Sequence, residues 1–148
     1  MIIKHGNMFD HLEEADLVFV TTNGTRKQGG FLVMGRGAAL QFKQQFPTDY
    51  KKLSHLAIVQ GTDYLNCIVY NLVYSGKFGL FQVKYDYWNK ADLDMIKEST
   101  EALTRLAKKL PNKTIFLNFP GIGNGKLTEE SVLPVIKNLP DNVIVWKL

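Results

Sequence analysis

Cysteine is nearly absent from this chain, because its 148 residues include only Cys67. A single cysteine cannot form an internal disulfide, and Cys67 lies in the strand-like run of residues 67–70. We therefore expect an inert, buried thiol. This cysteine usage is typical of a cytoplasmic protein rather than of a small disulfide-rich one.

Long apolar runs are also missing. The N-terminal segment reaches Lys4 and His5 after a short apolar stretch, and no later run approaches the roughly 20 residues that span a bilayer. We therefore expect neither a signal peptide nor a membrane helix, and no membrane partner.

Histidine is scarce, and His5, His11 and His55 lack the spacing of a metal site. Ser75 and Ser131 have no obvious His and Asp partners for a hydrolytic triad. We therefore expect no metal and no cofactor. The formal charge of +4 attracts anions weakly, but no basic run accompanies it, so charge alone does not predict a nucleic-acid partner.

Apolar residues make up 45% of the chain, which suits one domain over residues 1–148 with a full core. Strand-like and helix-like segments alternate, and this order predicts an α/β sandwich with helices on both faces of a largely parallel or mixed sheet. Strands are predicted at residues 1–5, 16–22, 57–60, 65–73, 80–84, 114–117 and 143–146, with a turn at 61–63. Helices are predicted at residues 37–46 and 48–53, from 91 to 110 with Leu93 on the apolar face, and from Thr128 onward.

A glycine-rich loop occupies residues 118–127. Gly121, Gly123 and Gly125 follow the apolar run 114–117 and precede the helix start at Thr128. Glycine lacks a Cβ atom, so backbone N–H groups can turn toward a ligand, and a helix N-terminus adds a positive field. This arrangement predicts a phosphate-binding loop.

A second glycine loop lies at residues 34–42, where glycines again open a helix. It does not match a dinucleotide fingerprint, since Leu40 stands in place of the third glycine. The loop at 118–127 does not match a P-loop, because Pro120 and Leu127 occupy the positions of the leading glycine and the Ser or Thr. Two helix-opening glycine loops in one small domain favour a shared ligand that carries a diphosphate, bound beyond the carboxyl ends of the strands.

Residues 34–47, taken together with residues 119–125, resemble the macro domain family. The chain is most similar to the branch that holds terminal ADP-ribose glycohydrolases, ADP-ribose 1''-phosphate phosphatases and antitoxins that remove ADP-ribose from DNA. The similarity covers nearly the whole chain in motif order, from a Gly-Asn-Met-Phe turn after the first strand to a closing aromatic strand. The resemblance implies a three-layer α/β/α sandwich with a mixed central sheet.

The resemblance also implies which residues bind ADP-ribose. Asn7 and Met8 would meet the adenine, with Asn7 where an Asp is usual, so its amide oxygen would accept from the adenine amino group. Trp146 is similar in position to an aromatic that lies against the adenine, although an ordinary core or edge aromatic fits the sequence equally well. Asn23 would approach the distal ribose.

The two glycine loops are implied to hold the phosphates. The loop of residues 34–42 would wrap the diphosphate and the distal ribose through Gly35, Arg36, Gly37 and Ala38, although Arg36 could equally be solvated. The other loop would contribute Gly121, Ile122, Gly123, Asn124 and Gly125. Residues 24–33 look longer than the usual link in the family, which predicts a remodelled edge near the distal ribose.

Catalysis is implied to depend on a lysine. The hydrolase branch uses a lysine shortly before an aromatic, and Lys84 within residues 82–88 is the nearest match, with Lys77 in reserve. Such a lysine would act as a nucleophile or steady charge at the anomeric carbon. An ordinary surface lysine is the alternative interpretation. Asp86 is the nearest carboxylate in sequence.

The leading hypothesis is an ADP-ribose-binding hydrolase that removes a group from the distal ribose. Its substrate would be an ADP-ribosylated protein, an ADP-ribosylated nucleic acid or ADP-ribose 1''-phosphate. The alternative is a reader module that binds ADP-ribose without turning it over. A weaker third hypothesis is a nucleic-acid-binding domain whose glycine loops contact backbone phosphates.

Overall fold

The computed structural model describes all residues from 1 to 148. Its strands and α-helices occur in the order β1 (Ile2–His5), β2 (Leu17–Thr22), α1 (Gly37–Gln45), α2 (Pro47–Gln60), β3 (Thr62–Tyr64), β4 (Cys67–Val69), β5 (Leu72–Ser75), β6 (Phe78–Gln82), α3 (Leu93–Lys109), β7 (Ile115–Asn118), α4 (Glu129–Ile136) and β8 (Val143–Lys147). Short 3-10 turns lie at Met8–Asp10, Leu12–Glu14 and Gly123–Gly125.

The central sheet has six strands in the order β1-β8-β7-β2-β6-β5. Every neighbouring pair is parallel except β5 and β6, which are antiparallel, so the predicted mixed sheet is confirmed. β3 and β4 form a separate antiparallel hairpin. Because the parallel strands all point the same way, their carboxyl ends meet along one edge of the sheet.

Helices cover both faces of this sheet, which confirms the three-layer sandwich. Val18 and Val20 of β2 pack with Phe42 of α1 on one face. Phe19, the residue between them, packs with Ile96 of α3 on the other face. Side chains of a strand alternate between faces, so a central strand buried on both sides is expected to be apolar, as β2 is from Leu17 to Val20.

The end of α2 corrects two predictions. Residues 57–60, predicted as a strand, are the last residues of α2, and residues 62–64 form β3 rather than a turn. The β-branched Ile58 and Val59 suggested a strand. The segment is helical because its burial follows the helical period. Tyr50, Leu53 and Ala57 lie on the buried face, while Val59 is 64% exposed.

The segment predicted as one strand at 65–73 is divided between β4 and β5. Asn71 has a φ of 56°, which an extended strand does not allow, and it interrupts the segment. The Gln82 side chain holds this interruption, since its Oε1 accepts from the backbone N–H groups of Tyr70 (2.9 Å) and Asn71 (3.0 Å).

β6 begins and ends two residues earlier than predicted. Gly79, which precedes the predicted strand, lies inside the observed one, because the ring of Phe19 occupies the place where a Cβ atom would stand. Val83 and Lys84 consequently follow the strand instead of belonging to it.

α3 begins at an Asp92 cap, whose carboxylate accepts from the backbone N–H of Met95 at 2.9 Å. Leu93, predicted on the apolar face, is 37% exposed, and Met95 and Ile96 begin the buried face instead. The buried face of α3 begins with the first helical residues that face the sheet, and Leu93 faces away from the sheet. None of the helices is both long enough and apolar enough to cross a membrane.

Candidate ligand-binding site

A cavity of about 730 Å³ opens at the carboxyl edge of the sheet. All five parallel strands reach it: Gly6 follows β1, Thr22 ends β2, Val83 follows β6, Asn118 ends β7 and Trp146 belongs to β8. Every site residue that the sequence predicted lies in its lining, namely Asn7, Met8, Asn23, Gly35, Arg36, Gly37, Ala38, Lys84, Gly121, Ile122, Gly123, Asn124, Gly125 and Trp146.

The two glycine loops face each other across this cavity. A Cβ atom on Gly37 would lie 3.8 Å from Asn124 Nδ2, so side chain and backbone of the two loops approach one another. α1 begins at Gly37, and no side chain caps its N-terminus. The N–H groups of its first turn therefore remain available to an anion in the cavity.

The loop of residues 118–127 is fixed by packing beneath it. Gly121 has a φ of +81°, and a Cβ atom there would stand 2.8 Å from Ile96 Cδ1 and 3.0 Å from Leu127 Cδ1. The Leu127 N–H donates to the Gly121 carbonyl at 2.9 Å, and the Ala91 N–H donates to the Gly125 carbonyl at the same distance. Only glycine fits this backbone path without displacing α3.

The helix after this loop does not contribute as predicted. Thr128 and Glu129 are absent from the cavity lining, and Thr128 Oγ1 accepts from the Ser131 N–H at 3.2 Å, which caps α4 internally. Glu129 and Glu130 occupy its first turn. The N-terminus of α4 carries negative side chains and is already capped, so it does not attract a phosphate. The helix N-terminus that faces the cavity is that of α1.

Asn7 is already engaged within the fold. Its Oδ1 accepts from the Phe9 N–H at 3.0 Å and caps the 3-10 turn, while its Nδ2 donates to Gln41 Oε1 at 3.2 Å. One acceptor position remains on Oδ1, since an amide oxygen has two lone pairs. Gln41, which lines the cavity beside it, was missed because its contact with Asn7 joins residues far apart in sequence.

Trp146 is a core aromatic that reaches the cavity. It is 5% exposed, its ring stacks on His11 at a centroid distance of 4.6 Å, and Phe116 meets it edge-on at 5.3 Å. One face of the indole is therefore taken by His11. Lys4 Nζ also lies over the ring, 5.8 Å from its centroid, so a ligand can meet only the part of the indole that lines the cavity.

Each side-chain group of Asn23 makes one bond within the protein. Its Nδ2 donates to the Val33 carbonyl at 3.0 Å, and its Oδ1 accepts from the Thr25 N–H at 2.8 Å. Tyr70 Oη also donates to the Asn23 carbonyl at 2.7 Å, and burial raises the pKa of this phenol. Asn23 thus ties the two ends of the segment 24–33 together.

Lys84 and Lys77 lie at opposite edges of the sheet. Lys84 lines the cavity, and its Nζ donates to the Tyr87 carbonyl at 2.8 Å. Lys77 lies in the turn before β6, at the amino ends of the parallel strands, where its Nζ donates to the Leu12 carbonyl at 2.7 Å. Lys77 is therefore outside the cavity and cannot serve as the reserve candidate.

The environment of Lys84 lowers the pKa of its ammonium group. Partial burial lowers the pKa of the ammonium below the ordinary lysine value, and the charge of Lys126 lowers it further. The Lys84 carbonyl accepts from Gln82 Nε2 at 3.3 Å, and Gln82 is fully buried. A buried amide thus holds the backbone of the lysine at the rim of the cavity.

No Asp, Glu or His side chain lines the cavity, and its charged side chains are Arg36 and Lys84. Asp86 lies outside, where its carboxylate accepts from Thr25 Oγ1 at 2.8 Å. Burial, and then the hydrogen bond and charge of Asp86, raise the pKa of the Cys67 thiol to about 11. The lining offers cations and amides but no side-chain carboxylate base.

The floor of the cavity contains polar residues that the sequence analysis passed over. Asn118 Oδ1 accepts from the Thr21 N–H at 2.9 Å, and its Nδ2 donates to Thr21 Oγ1 at 2.8 Å, linking β7 to β2. Both residues line the cavity. Both could have been found from the sequence, because each is a polar residue at the carboxyl end of an apolar strand.

Comparison with known proteins gives structural matches only. No family model matches the chain, and no curated protein matches it in sequence. The macrodomain of Thermus aquaticus DarG superposes with a TM-score of 0.66 at 22% identity, covering 99% of this chain and 95% of that one. The macrodomain of Mycobacterium tuberculosis DarG gives 0.65 at 26% identity, covering 99% and 97%.

Thermosipho africanus DarTG in complex with ADP-ribose gives a TM-score of 0.69 at 19% identity. It aligns over 100% of this chain but only 42% of its own length. The resemblance seen in the glycine loops is thus confirmed by the architecture: the chain has the macrodomain fold and is similar to the macrodomains of DarG.

Proposed function

We propose that this chain, as one domain over residues 1–148, binds ADP-ribose in the cavity at the carboxyl edge of the sheet. A volume of about 730 Å³ suits a ligand of this size. The uncapped start of α1 and the loop of residues 118–127 supply backbone donors for a diphosphate. A structural neighbour, Thermosipho africanus DarTG, is itself a complex with ADP-ribose.

We further propose that the chain is a hydrolase that removes a group from the distal ribose. The observation that carries this proposal is Lys84, the one amine in a lining that has no acidic side chain. A lysine with a lowered pKa can attack an anomeric carbon or an opened sugar when neutral. When protonated, it can stabilise the charge on the departing group.

The assignment of ligand contacts follows from the cavity. The backbone at Gly35–Ala38 and Gly121–Gly125 would hold the diphosphate, and Met8 with the free acceptor position of Asn7 would meet the adenine. Asn23 would approach the distal ribose, since its Nδ2 and Oδ1 each make one bond within the loop and each keep one further position. The group attached to the distal ribose could be a protein, a nucleic acid or a 1''-phosphate, because none of these contacts reaches that group.

The test is calorimetric titration with ADP-ribose, followed by turnover assays on ADP-ribosylated protein, ADP-ribosylated DNA and ADP-ribose 1''-phosphate. Lys84→Ala should abolish turnover while ADP-ribose still binds. Lys77→Ala is the matched control, because it also removes a lysine bonded to a carbonyl but at the opposite edge. Absence of ADP-ribose binding by the wild type would exclude the whole proposal.

A second candidate function is a reader that binds ADP-ribose without turnover. It is favoured by the engagement of Lys84 Nζ with the Tyr87 carbonyl and by the lack of a side-chain carboxylate in the lining. Binding without turnover on all three substrates, with equal affinity in Lys84→Ala, would support the reader over the hydrolase.

A further inference from the structure

Two lysine side chains outside the cavity converge on one aromatic ring. Lys27 belongs to the loop between β2 and α1, and its Nζ lies 5.7 Å from the centroid of the Tyr50 ring. Lys43 of α1 places its Nζ 5.5 Å from the same centroid. The ion pairs of the structure all involve other residues, so neither ammonium has a carboxylate within 4.0 Å.

This arrangement is unfavourable for two cations in the absence of an anion. Two like charges held beside the same ring repel each other, and the repulsion is stronger near a protein surface than in bulk water. The pKa of Lys43 is lowered, first by its contact with Lys27 and then by burial. Flexible lysines normally separate, yet here the Tyr50 ring attracts both.

The turn that carries Lys27 adds unused backbone donors. The Gly30 N–H donates to the Lys27 carbonyl at 2.9 Å, and the Lys27 N–H donates to the Phe31 carbonyl at 2.8 Å. The N–H groups of Gln28 and Gly29 have no acceptor in the protein. Gly29 and Gly30 have φ values of +96° and +87°, and neither carries a side chain that would cover the exposed backbone of the turn.

This cluster is separate from the main cavity. Neither lysine, nor Tyr50, nor the turn at Lys27–Gly30 belongs to the cavity lining. Lys43 lies one helical turn beyond Ala39, which does line the cavity, and four residues of helix span about 6 Å. The cluster therefore lies beside α1 but outside the cavity.

We propose that Lys27, Lys43 and the backbone donors of the Lys27–Gly30 turn form a second anion site, which binds a phosphate group carrying two charges. A phosphate monoester matches two ammonium groups in charge and offers several acceptor oxygens for the turn. A single carboxylate would neutralise only one of the lysines. This site does not depend on whether the main cavity binds ADP-ribose.

The test is an NMR titration of ¹⁵N-labelled full-length chain with inorganic phosphate, at constant ionic strength maintained with chloride. We expect saturable shifts of the Gly29 and Gly30 amides, with a dissociation constant on the order of millimolar. Lys27→Met and Lys43→Met should each weaken binding about tenfold. Lys51→Met and Lys52→Met, which remove exposed lysines of α2, are the controls and should leave binding unchanged.

Three further arms make the test decisive. Monomethyl phosphate should bind more tightly than dimethyl phosphate, and the reverse order would contradict a site for a doubly charged group. Gly35→Leu, which fills the main cavity, should leave the shifts intact, and their loss would mean that phosphate binds in that cavity instead. Shifts that do not saturate, or that weaken equally in the control variants, would overturn the proposal as general screening of surface charge.

Discussion

Lys84 lies two residues beyond the end of β6, held by a bond from its Nζ to the Tyr87 carbonyl and by Gln82 at its backbone. Its role in the proposed hydrolysis can be read from the pH dependence of turnover. A nucleophilic amine must be neutral, so kcat would rise with pH through a pKa below the ordinary lysine value of 10.5 and then level off. A charge-stabilising ammonium would make kcat fall over the same range.

Measuring kcat from pH 6 to 10 for the wild type and Lys84→Arg separates these roles. We expect the rising limb and an inactive Lys84→Arg, because arginine cannot deprotonate in this range. Retained activity in Lys84→Arg would instead assign the charge-stabilising role. The lowered pKa also has a stability consequence, since the folded chain binds fewer protons than the unfolded chain between that pKa and 10.5, and the free energy of unfolding therefore rises with pH there.

Gly35 and Gly121 make a matched pair of glycines with opposite expected effects. A Cβ atom on Gly35 meets nothing within 4 Å, and its φ is not positive, so Gly35→Leu should fill the cavity mouth with little change in Tm. Affinity for ADP-ribose should fall at least about tenfold in the titration. Gly121→Ala should lower stability by about 1 to 3 kcal/mol, from positive φ and the contact with Ile96 Cδ1.

Thermal unfolding and calorimetry on both variants check this pair. A Gly35→Leu chain that binds ADP-ribose normally would contradict the location of the ligand between the two glycine loops. A Gly121→Ala chain of wild-type stability would mean that α3 adjusts to the added methyl group.

The β4–β5–β6 element depends on one buried amide. Gln82 is fully buried and bonds the N–H groups of Tyr70 and Asn71 and the carbonyls of Ile68 (2.9 Å) and Lys84. Gln82→Met keeps the volume but leaves these groups unpaired, so we expect a loss of about 2 to 4 kcal/mol in the free energy of unfolding by urea. Thr104→Val is the control, because it removes only a local bond to the Thr100 carbonyl and should cost less than about 0.5 kcal/mol.

The elements also show how far the sequence alone could reach. The alternation of strands and helices, and the burial of β2 on both faces, follow from apolar periodicity and were predicted. The end of α2 was not, because Ile58 and Val59 favour a strand locally while Ala57 is drawn into a helical core contact. The start of β6 was missed because Gly79 is explained only by the Phe19 ring across the sheet.

The same limit applies to the site. The glycine loops could be recognised because backbone geometry dictates the residue type at each position. The bonds of Asn7 to Gln41 and of Asn23 to Val33 could not be predicted, since the first joins the turn after β1 to α1 and the second closes a loop whose path the sequence does not specify. Choosing Lys84 over Lys77 likewise required knowing at which edge of the sheet each lysine lies.

At the scale of the whole molecule, the cavity joins the ends of strands from nearly the full width of the sheet. A ligand bound there should protect distant segments together. We expect ADP-ribose to slow amide hydrogen exchange at residues 6–8, 35–38 and 121–125 in concert, because ligand binding stabilises the native state by mass action. The β3–β4 hairpin, which lies outside the cavity, is the internal control.

Protection confined to one of these three segments would place the ligand on a single loop rather than across the cavity. Equal protection of the β3–β4 hairpin would mean that all these amides exchange through global unfolding, and would contradict a local protection of the three segments that line the cavity. Mass spectrometry of the exchanged peptides resolves these outcomes.

The parallel pairing of β1 with β8 has a consequence for how the chain is made. Of the strands in residues 1–148, β1 is synthesised first and has the last one, β8, as its only neighbour in the sheet, and β2 likewise pairs with β6 and β7, which are synthesised later. Such distant pairings close late and fold slowly. A nascent chain that has not yet released β8 therefore holds an unfinished pocket, so ligand binding becomes possible only once synthesis of the domain is complete.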